Sequence, residues 1–237
     1  MTTFIAVHGA WSAGWAWRRM RDELGRRGHM LWTPTWTGIG ERRHLAGPHI
    51  NLSTHIDDLV HHMEVEDHRD VVLVAHSYGG MVATGALGRI ADRVSKVIYL
   101  DALVPRRGES VFSLFGDEAR DRMTAAAREL GDGWAIPSNP PPPDTPAKDL
   151  EWIAPRRVAQ PIGTFSELSP FGYEDITLPR AYIYCLTVGP GDPFRPFAER
   201  AERDPNWDYR EIDASHSPNI TNPSALADLL EELTRDI

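Results

Sequence analysis

The chain has 237 residues, of which 41% are hydrophobic and 25% charged. That is a globular balance, which excludes a disordered chain and fits one α/β or all-β domain, with or without an insertion, or two very small domains. Lys and Arg number 25 against 34 Asp and Glu, a net charge of −9; without basic clusters such a chain repels phosphate, so neither nucleic acid nor a membrane is an expected partner. Cys185 is the single cysteine, excluding an intramolecular disulfide and a cysteine-based zinc site.

Met1–Gly9 has no basic region, and its apolar run predicts a strand over Phe4–Val7 rather than a signal peptide. No window approaches the roughly 18 apolar residues of a membrane span, so a cytoplasmic protein is expected. Trp17–Arg27 predicts a helix stopped by Gly28, and Met30–Thr33 a second strand closed by Pro34. Over Thr54–Glu66 the residues Ile56, Leu59, Val60 and Met63 recur at helical spacing, with Ser53 as N-cap. Its neighbours His55, His61, His62 and His68, with Glu64, Glu66 and Asp67, read as a solvated face rather than a metal site. Val71–Ala75 has the continuous apolar pattern of a strand buried on both faces. A turn at His76–Gly79, a helix over Gly80–Ala91 and a strand at Val97–Leu100 follow.

Pro105–Pro179 breaks this alternation, with helices expected over Asp117–Leu130 and Ala147–Val158 around a proline-rich run. Its four consecutive prolines, Pro140–Pro143, favour an extended polyproline II segment. Beyond it, strands at Ala181–Thr187 and Tyr209–Ile212 alternate with helices at Pro196–Arg203 and Ala225–Arg235. Strands separated by helices imply an α/β fold with a doubly wound, mostly parallel sheet. The expected organisation is a core of residues 1–104 and 180–237, with 105–179 inserted between two strands as a cap.

Three segments carry chemistry. Ala75-His76-Ser77-Tyr78-Gly79-Gly80 joins a strand to a helix and fits the nucleophile elbow G-x-S-x-G, with Ala75 in place of the first glycine. The elbow needs small neighbours because its serine is strained and the helix packs close. It lifts the Ser77 hydroxyl to a helix N-terminus, which favours developing negative charge. His8-Gly9-Ala10-Trp11 follows the first strand, where a doubly wound hydrolase takes one oxyanion donor; the other comes from the residue after the nucleophile. The backbone N–H groups of Ala10 and Tyr78 are therefore the candidates, with His8 structural. His216, after the last strand, is the candidate general base. Asp192, Asp101 and Asp213 compete to orient it, Asp213 ranking last because it is too near His216 in sequence. Trp11, Phe112, Trp134 and Trp152 are candidate walls of a pocket for an apolar or aromatic group. No glycine-rich nucleotide loop follows a strand, so no cofactor and no metal is expected.

Together, F-I-A-V-H-G-A-W, T-G-I-G-E-R, L-V-A-H-S-Y-G-G-M-V, V-I-Y-L-D-A-L-V-P and G-P-G-D-P-F-R-P-F-A-E-R resemble the α/β-hydrolase superfamily. The resemblance is closer to the bacterial relatives of the plant methylesterase and hydroxynitrile lyase branch, including pyrethroid hydrolase-like and salicylate esterase-like enzymes. It implies a Ser77, Asp192, His216 triad with Ala10 and Tyr78 as oxyanion donors, and a carboxylesterase acting through an acyl-enzyme on small apolar or aromatic esters. Asp101 stays as the alternative acid. Asp192 is preferred because Gly189 and Gly191 let its loop turn inward, whereas Ala102-Leu103-Val104 after Asp101 looks like continuing strand. Three alternatives share the fold: hydroxynitrile lyase chemistry, cofactor-free oxygenase chemistry and a non-enzymatic ligand receptor. The lyases resembled carry Thr where this chain has Gly9 and Lys where it has Ser217, which weakens that alternative. The sequence leaves a homodimer open.

Overall fold

In the computed structural model, which describes residues 1–141, 145–188 and 191–237, the apolar runs assemble into one parallel sheet. In chain order the elements up to the insertion are β1 (Thr3–Val7), α1 (Arg18–Arg26), β2 (Met30–Trp32), α2 (Leu52–Val65), β3 (Val71–His76), α3 (Gly79–Ile90) and β4 (Val94–Leu100). The insertion holds α4 (Val111–Phe115), α5 (Asp117–Leu130), β5 (Ala135–Ile136), α6 (Ala147–Ile153), β6 (Gln160–Pro161) and α7 (Gly163–Ser166). The chain returns through β7 (Arg180–Cys185), α8 (Arg195–Arg203), β8 (Trp207–Ile212), α9 (Pro218–Thr221) and α10 (Pro223–Leu233). The sheet order is β2-β1-β3-β4-β7-β8, and β5 pairs with β6 in a separate antiparallel ribbon.

Strand periodicity sends side chains to two cores. Ile5, Val7, Leu73 and Ala75 join α2, α3 and α8 on one face, while Phe4, Ala6, Val72 and Val74 join α1 and α10 on the other. A sheet buried on both faces explains why its central strands are apolar without alternation. β1 runs to β2 on one side and to β3 on the other, so strand order reverses between β1 and β3. Ligands of open α/β sheets bind outside the strand ends at such a switch point, and both the His8–Trp11 loop and Ser77 lie there.

Several expected boundaries shift for local reasons. α2 starts two residues before Thr54 because Asn51, not Ser53, is its N-cap: Asn51 Oδ1 accepts from Thr54 N at 2.9 Å, in a reciprocal capping box. Ser53 instead donates to Glu167 through its amide and hydroxyl. α6 ends at Ile153 rather than Val158, since Pro155 cannot continue an α-helix. The four-residue α7 and α9 and the two-residue strands β5 and β6 were too short to leave a periodic signal. Of the polyproline run, Pro142 and Pro143 lie outside the described residues. No described helix is long and apolar enough to cross a membrane.

Candidate active site

β3 ends at His76, and the chain turns into α3 through Ser77, whose φ of +57° is unusual for a residue with a side chain. Two close approaches hold this elbow. A Cβ on Gly79 would stand 1.9 Å from the Val7 carbonyl oxygen, and one on Gly80 1.9 Å from that of Leu103. Neither position admits a side chain, so glycine there lets α3 sit against β1 and against the segment that follows β4. Ala75 is wholly buried in the core and fills the motif's first small position.

The loop after β1 lies directly on Ser77, since a Cβ on Gly9 would come within 2.9 Å of Ser77 Cβ. Trp11 N–H donates to Gln160 Oε1 at 3.0 Å, whereas the N–H groups of Ala10 and Tyr78 meet no acceptor among the described residues. His8 has the structural role expected of it. Its Nδ1–H donates to Gly9 O at 2.9 Å and its Nε2 accepts from Trp36 N, while burial drops its pKa to about 3.

His216 Nδ1 donates to Asp101 Oδ2 at 2.7 Å. This geometry corrects the preference for Asp192. His76 pairs with Leu100 across β3 and β4, so Asp101 leaves its strand level with Ser77. Asp101 is buried and has a φ of +43°; its other carboxylate oxygen accepts from Cys185 N at 3.4 Å. Burial raises its pKa, and the hydrogen bond from His216 opposes that rise. Ala102–Val104 is not continuing strand: it is buried because it threads past the elbow, Leu103 N donating to Ser77 O at 3.1 Å. Asp192 is engaged elsewhere, accepting from the Tyr184 hydroxyl at 2.5 Å and from Phe194 N at 2.9 Å. Gly189, part of the reason for preferring it, lies outside the described residues.

The sequence did not reveal what holds His216. The Phe194 ring stacks on it at 4.6 Å, nearly parallel at 12°. His76 also packs against it at 4.6 Å, and His76 Nε2–H donates to the His216 carbonyl at 2.6 Å. Burial, reinforced by His216, lowers the His76 pKa to about 3, keeping it a neutral donor.

His55 is a second correction. It is completely buried, accepting from the Tyr78 hydroxyl at Nδ1 and donating to Thr37 O from Nε2, both at 3.0 Å. Burial lowers its pKa to about 4. Leu52, His55, Ile56, Leu59, Val60 and Met63 fall on one helical stripe, so spacing alone held the signal. His68 is also buried, against Trp32, whereas His61 is exposed. Among the described residues no three His, Cys, Asp or Glu are grouped to hold a metal ion.

Of the candidate pocket walls, Trp11 and Phe112 both meet Phe165, at 5.5 and 6.0 Å between ring centroids. Phe165 also stacks on Tyr78 at 5.8 Å. Trp134 is half-buried, and its carbonyl accepts from Ile162 N. Trp152 stands apart, packed on Trp15 at 5.2 Å with the Arg19 and Arg156 guanidinium groups against its ring. It contributes to fixing α6 on the core.

Comparison with known proteins gives the family. The carbendazim hydrolyzing esterase of Nocardioides sp. (strain SG-4G) is 35% identical over 242 residues, 98% of this chain and 100% of that protein. Methylesterase 10 of Arabidopsis thaliana is 33% identical over 104 residues, 43% of this chain and 38% of its own length. An extracellular alpha/beta-hydrolase from a Paenibacillus species, said to share structural and functional homology with tobacco salicylic acid binding protein 2, matches with a TM-score of 0.86 at 21% identity over 100% of both chains. Residues 4–229 match the model of the alpha/beta hydrolase family, and the chain belongs to that family.

Proposed function

We propose that this hydrolase is a serine carboxylesterase with Ser77 as nucleophile, His216 as general base and Asp101 as the acid, acting on small apolar or aromatic esters. The observation that carries the reading is the 2.7 Å bond from His216 Nδ1–H to the buried Asp101, beside a serine at positive φ on a strand-to-helix elbow. With Nδ1 protonated and committed to Asp101, Nε2 carries the free lone pair.

His216 Nε2 takes the Ser77 hydroxyl proton as the oxygen attacks the ester carbonyl. The resulting oxyanion accepts from the Ala10 and Tyr78 amides, each such donor being worth about 3–4 kcal/mol of transition-state stabilisation. Collapse expels the alcohol, which leaves with the proton from His216. Water, deprotonated by the same nitrogen, then releases the acid and restores Ser77. Residues 105–179 serve as a cap over the core of 1–104 and 180–237. Two bonds from Trp11, N to Gln160 and Nε1 to the Ile136 carbonyl, support this by tying the oxyanion loop to the insertion. The rings of Trp11, Phe112 and Phe165 support an apolar or aromatic specificity.

A sulfonyl fluoride or organophosphate should label Ser77 and abolish hydrolysis of p-nitrophenyl esters. Ser77→Ala and His216→Ala should each remove nearly all activity, and the double variant should be little worse because the groups act as a unit. Labelling at another serine, or full activity after labelling, defeats the proposal.

A further inference from the structure

Arg157 stands three residues before Gln160, the side chain that holds the Trp11 amide. Its guanidinium lies over the Trp11 ring, 5.8 Å from the centroid. One terminal nitrogen donates to Asn139 Oδ1 at 2.6 Å. Its Nε is closed off from solvent and meets no acceptor among the described residues. Arg19 shows the usual alternative, pairing with the buried Asp149 at 2.6 Å. No such carboxylate supports Arg157 among the described residues, and burial alone lowers its pKa, to about 10, which still leaves it charged at neutral pH. Its field reaches the site, because it is one of the charges that disfavour protonation of His76, the neighbour of Ser77.

A half-buried cation with no carboxylate partner among the described residues is unfavourable. On a chain of net charge −9, it also supplies local attraction that an anionic ligand would otherwise lack. A carboxylate at the terminal nitrogens supplies the counter-charge, and a guanidinium fork matches its geometry. We infer that Arg157 is a specificity-determining residue that binds a carboxylate carried by the ester substrate, with the substrate's apolar body against Trp11 and Phe165. This rests on the carboxylesterase reading and narrows it to esters bearing a second, anionic group.

The test uses matched pairs: 3- and 4-acetoxybenzoate against phenyl acetate, and monomethyl terephthalate against methyl benzoate. In at least one pair the carboxylate member should have a kcat/KM higher by about tenfold or more, the scale of one charge-assisted hydrogen bond. Arg157→Met should bring that ratio to about one, mainly by raising KM for the carboxylate ester, and Arg157→Lys should keep part of the preference. Absence of a carboxylate preference in both pairs overturns the inference, as does an equal loss on both members of a pair in Arg157→Met. Calorimetric binding of terephthalate to Ser77→Ala, with and without Arg157→Met, needs no turnover. If no ester is hydrolysed yet terephthalate binds only when Arg157 is present, the esterase reading fails and the carboxylate site stands. If esters are hydrolysed and terephthalate binding ignores Arg157, the carboxylate site alone fails.

Discussion

At the scale of single side chains, His216 is held at its Nδ1 by Asp101, on its ring by Phe194 and His76, and at its backbone carbonyl by His76 Nε2–H. These contacts predict different consequences for the two nearby acids. Asp101→Asn keeps an oxygen for the Cys185 amide but turns an N–H toward His216 Nδ1, which imposes the wrong imidazole tautomer, and should lower kcat by about 10⁴ with little change in KM. Asp192→Asn keeps an oxygen for the Phe194 amide, and its NH2 can donate to the Tyr184 hydroxyl oxygen in place of the bond that hydroxyl gave, so only the surroundings of the ring stacked on His216 are disturbed. It should leave kcat within about one order of magnitude, below the roughly 10²–10⁴ of a positioned acid–base group. Steady-state kinetics on p-nitrophenyl esters checks the ranking, and a larger loss for Asp192→Asn in a folded protein contradicts it. The positions of Ser77 on a strand-to-helix elbow and of His216 after the last strand were legible because both are local patterns. Which aspartate meets His216 was not, because strand register decides it: Asp101 is brought to His216 through the pairing of His76 with Leu100, which local composition does not encode. His76 and Phe194 were missed for the same reason, their partner lying on a distant segment.

At the scale of elements, the same residue type has opposite consequences in two helices. Gly80 in α3 faces the Leu103 carbonyl oxygen, where an added Cβ would stand at 1.9 Å. A backbone atom cannot rotate away, so Gly80→Ala should destabilise the fold by at least about 1–3 kcal/mol, the scale of overpacking, and displace the elbow. Gly25 in α1 is exposed, with nothing within 4 Å of the place a methyl group would take. There Gly25→Ala removes only the unfolded-state entropy of glycine and should stabilise by about 0.5–1 kcal/mol. Urea unfolding of both variants tests the contrast, and a neutral Gly80→Ala would mean that α3 does not pack this closely. The long elements of the sheet and the flanking helices were readable from apolar runs and helical spacing. Their ends were less so, since Asn51 and Ser53 are both good caps and the choice between them depends on Thr54 and Glu167. The insertion was least readable, because its short helices are ordered by packing rather than by their own periodicity.

At the scale of the whole molecule, the buried imidazoles make stability depend on pH. Burial lowers His8, His55 and His76 to about 3, about 4 and about 3, against about 6.5 in an unfolded chain. Between these values the unfolded state binds more protons than the native state, so the free energy of unfolding rises with pH. The stabilisation is complete above about pH 6.5 and is lost as the pH falls toward the folded values. Each imidazole accounts for about 1.4 kcal/mol per pH unit in that window, and the three together for about 4. Asp101 has the opposite sign: burial raises its pKa, so its native form binds a proton more readily than its unfolded form. That single group begins to offset the loss only in acid, and it does not cancel three histidines. Urea unfolding at pH 7, 6 and 5 should therefore show a steep fall in midpoint over two units. In His55→Gln the new side chain can accept from Tyr78 and donate to the Thr37 carbonyl without titrating. Its pH slope should be shallower by about one proton whatever its stability at pH 7. A midpoint that stays flat from pH 7 to pH 5 would mean that these imidazoles are hydrated and charged in the native protein, contrary to the buried hydrogen bonds that place them.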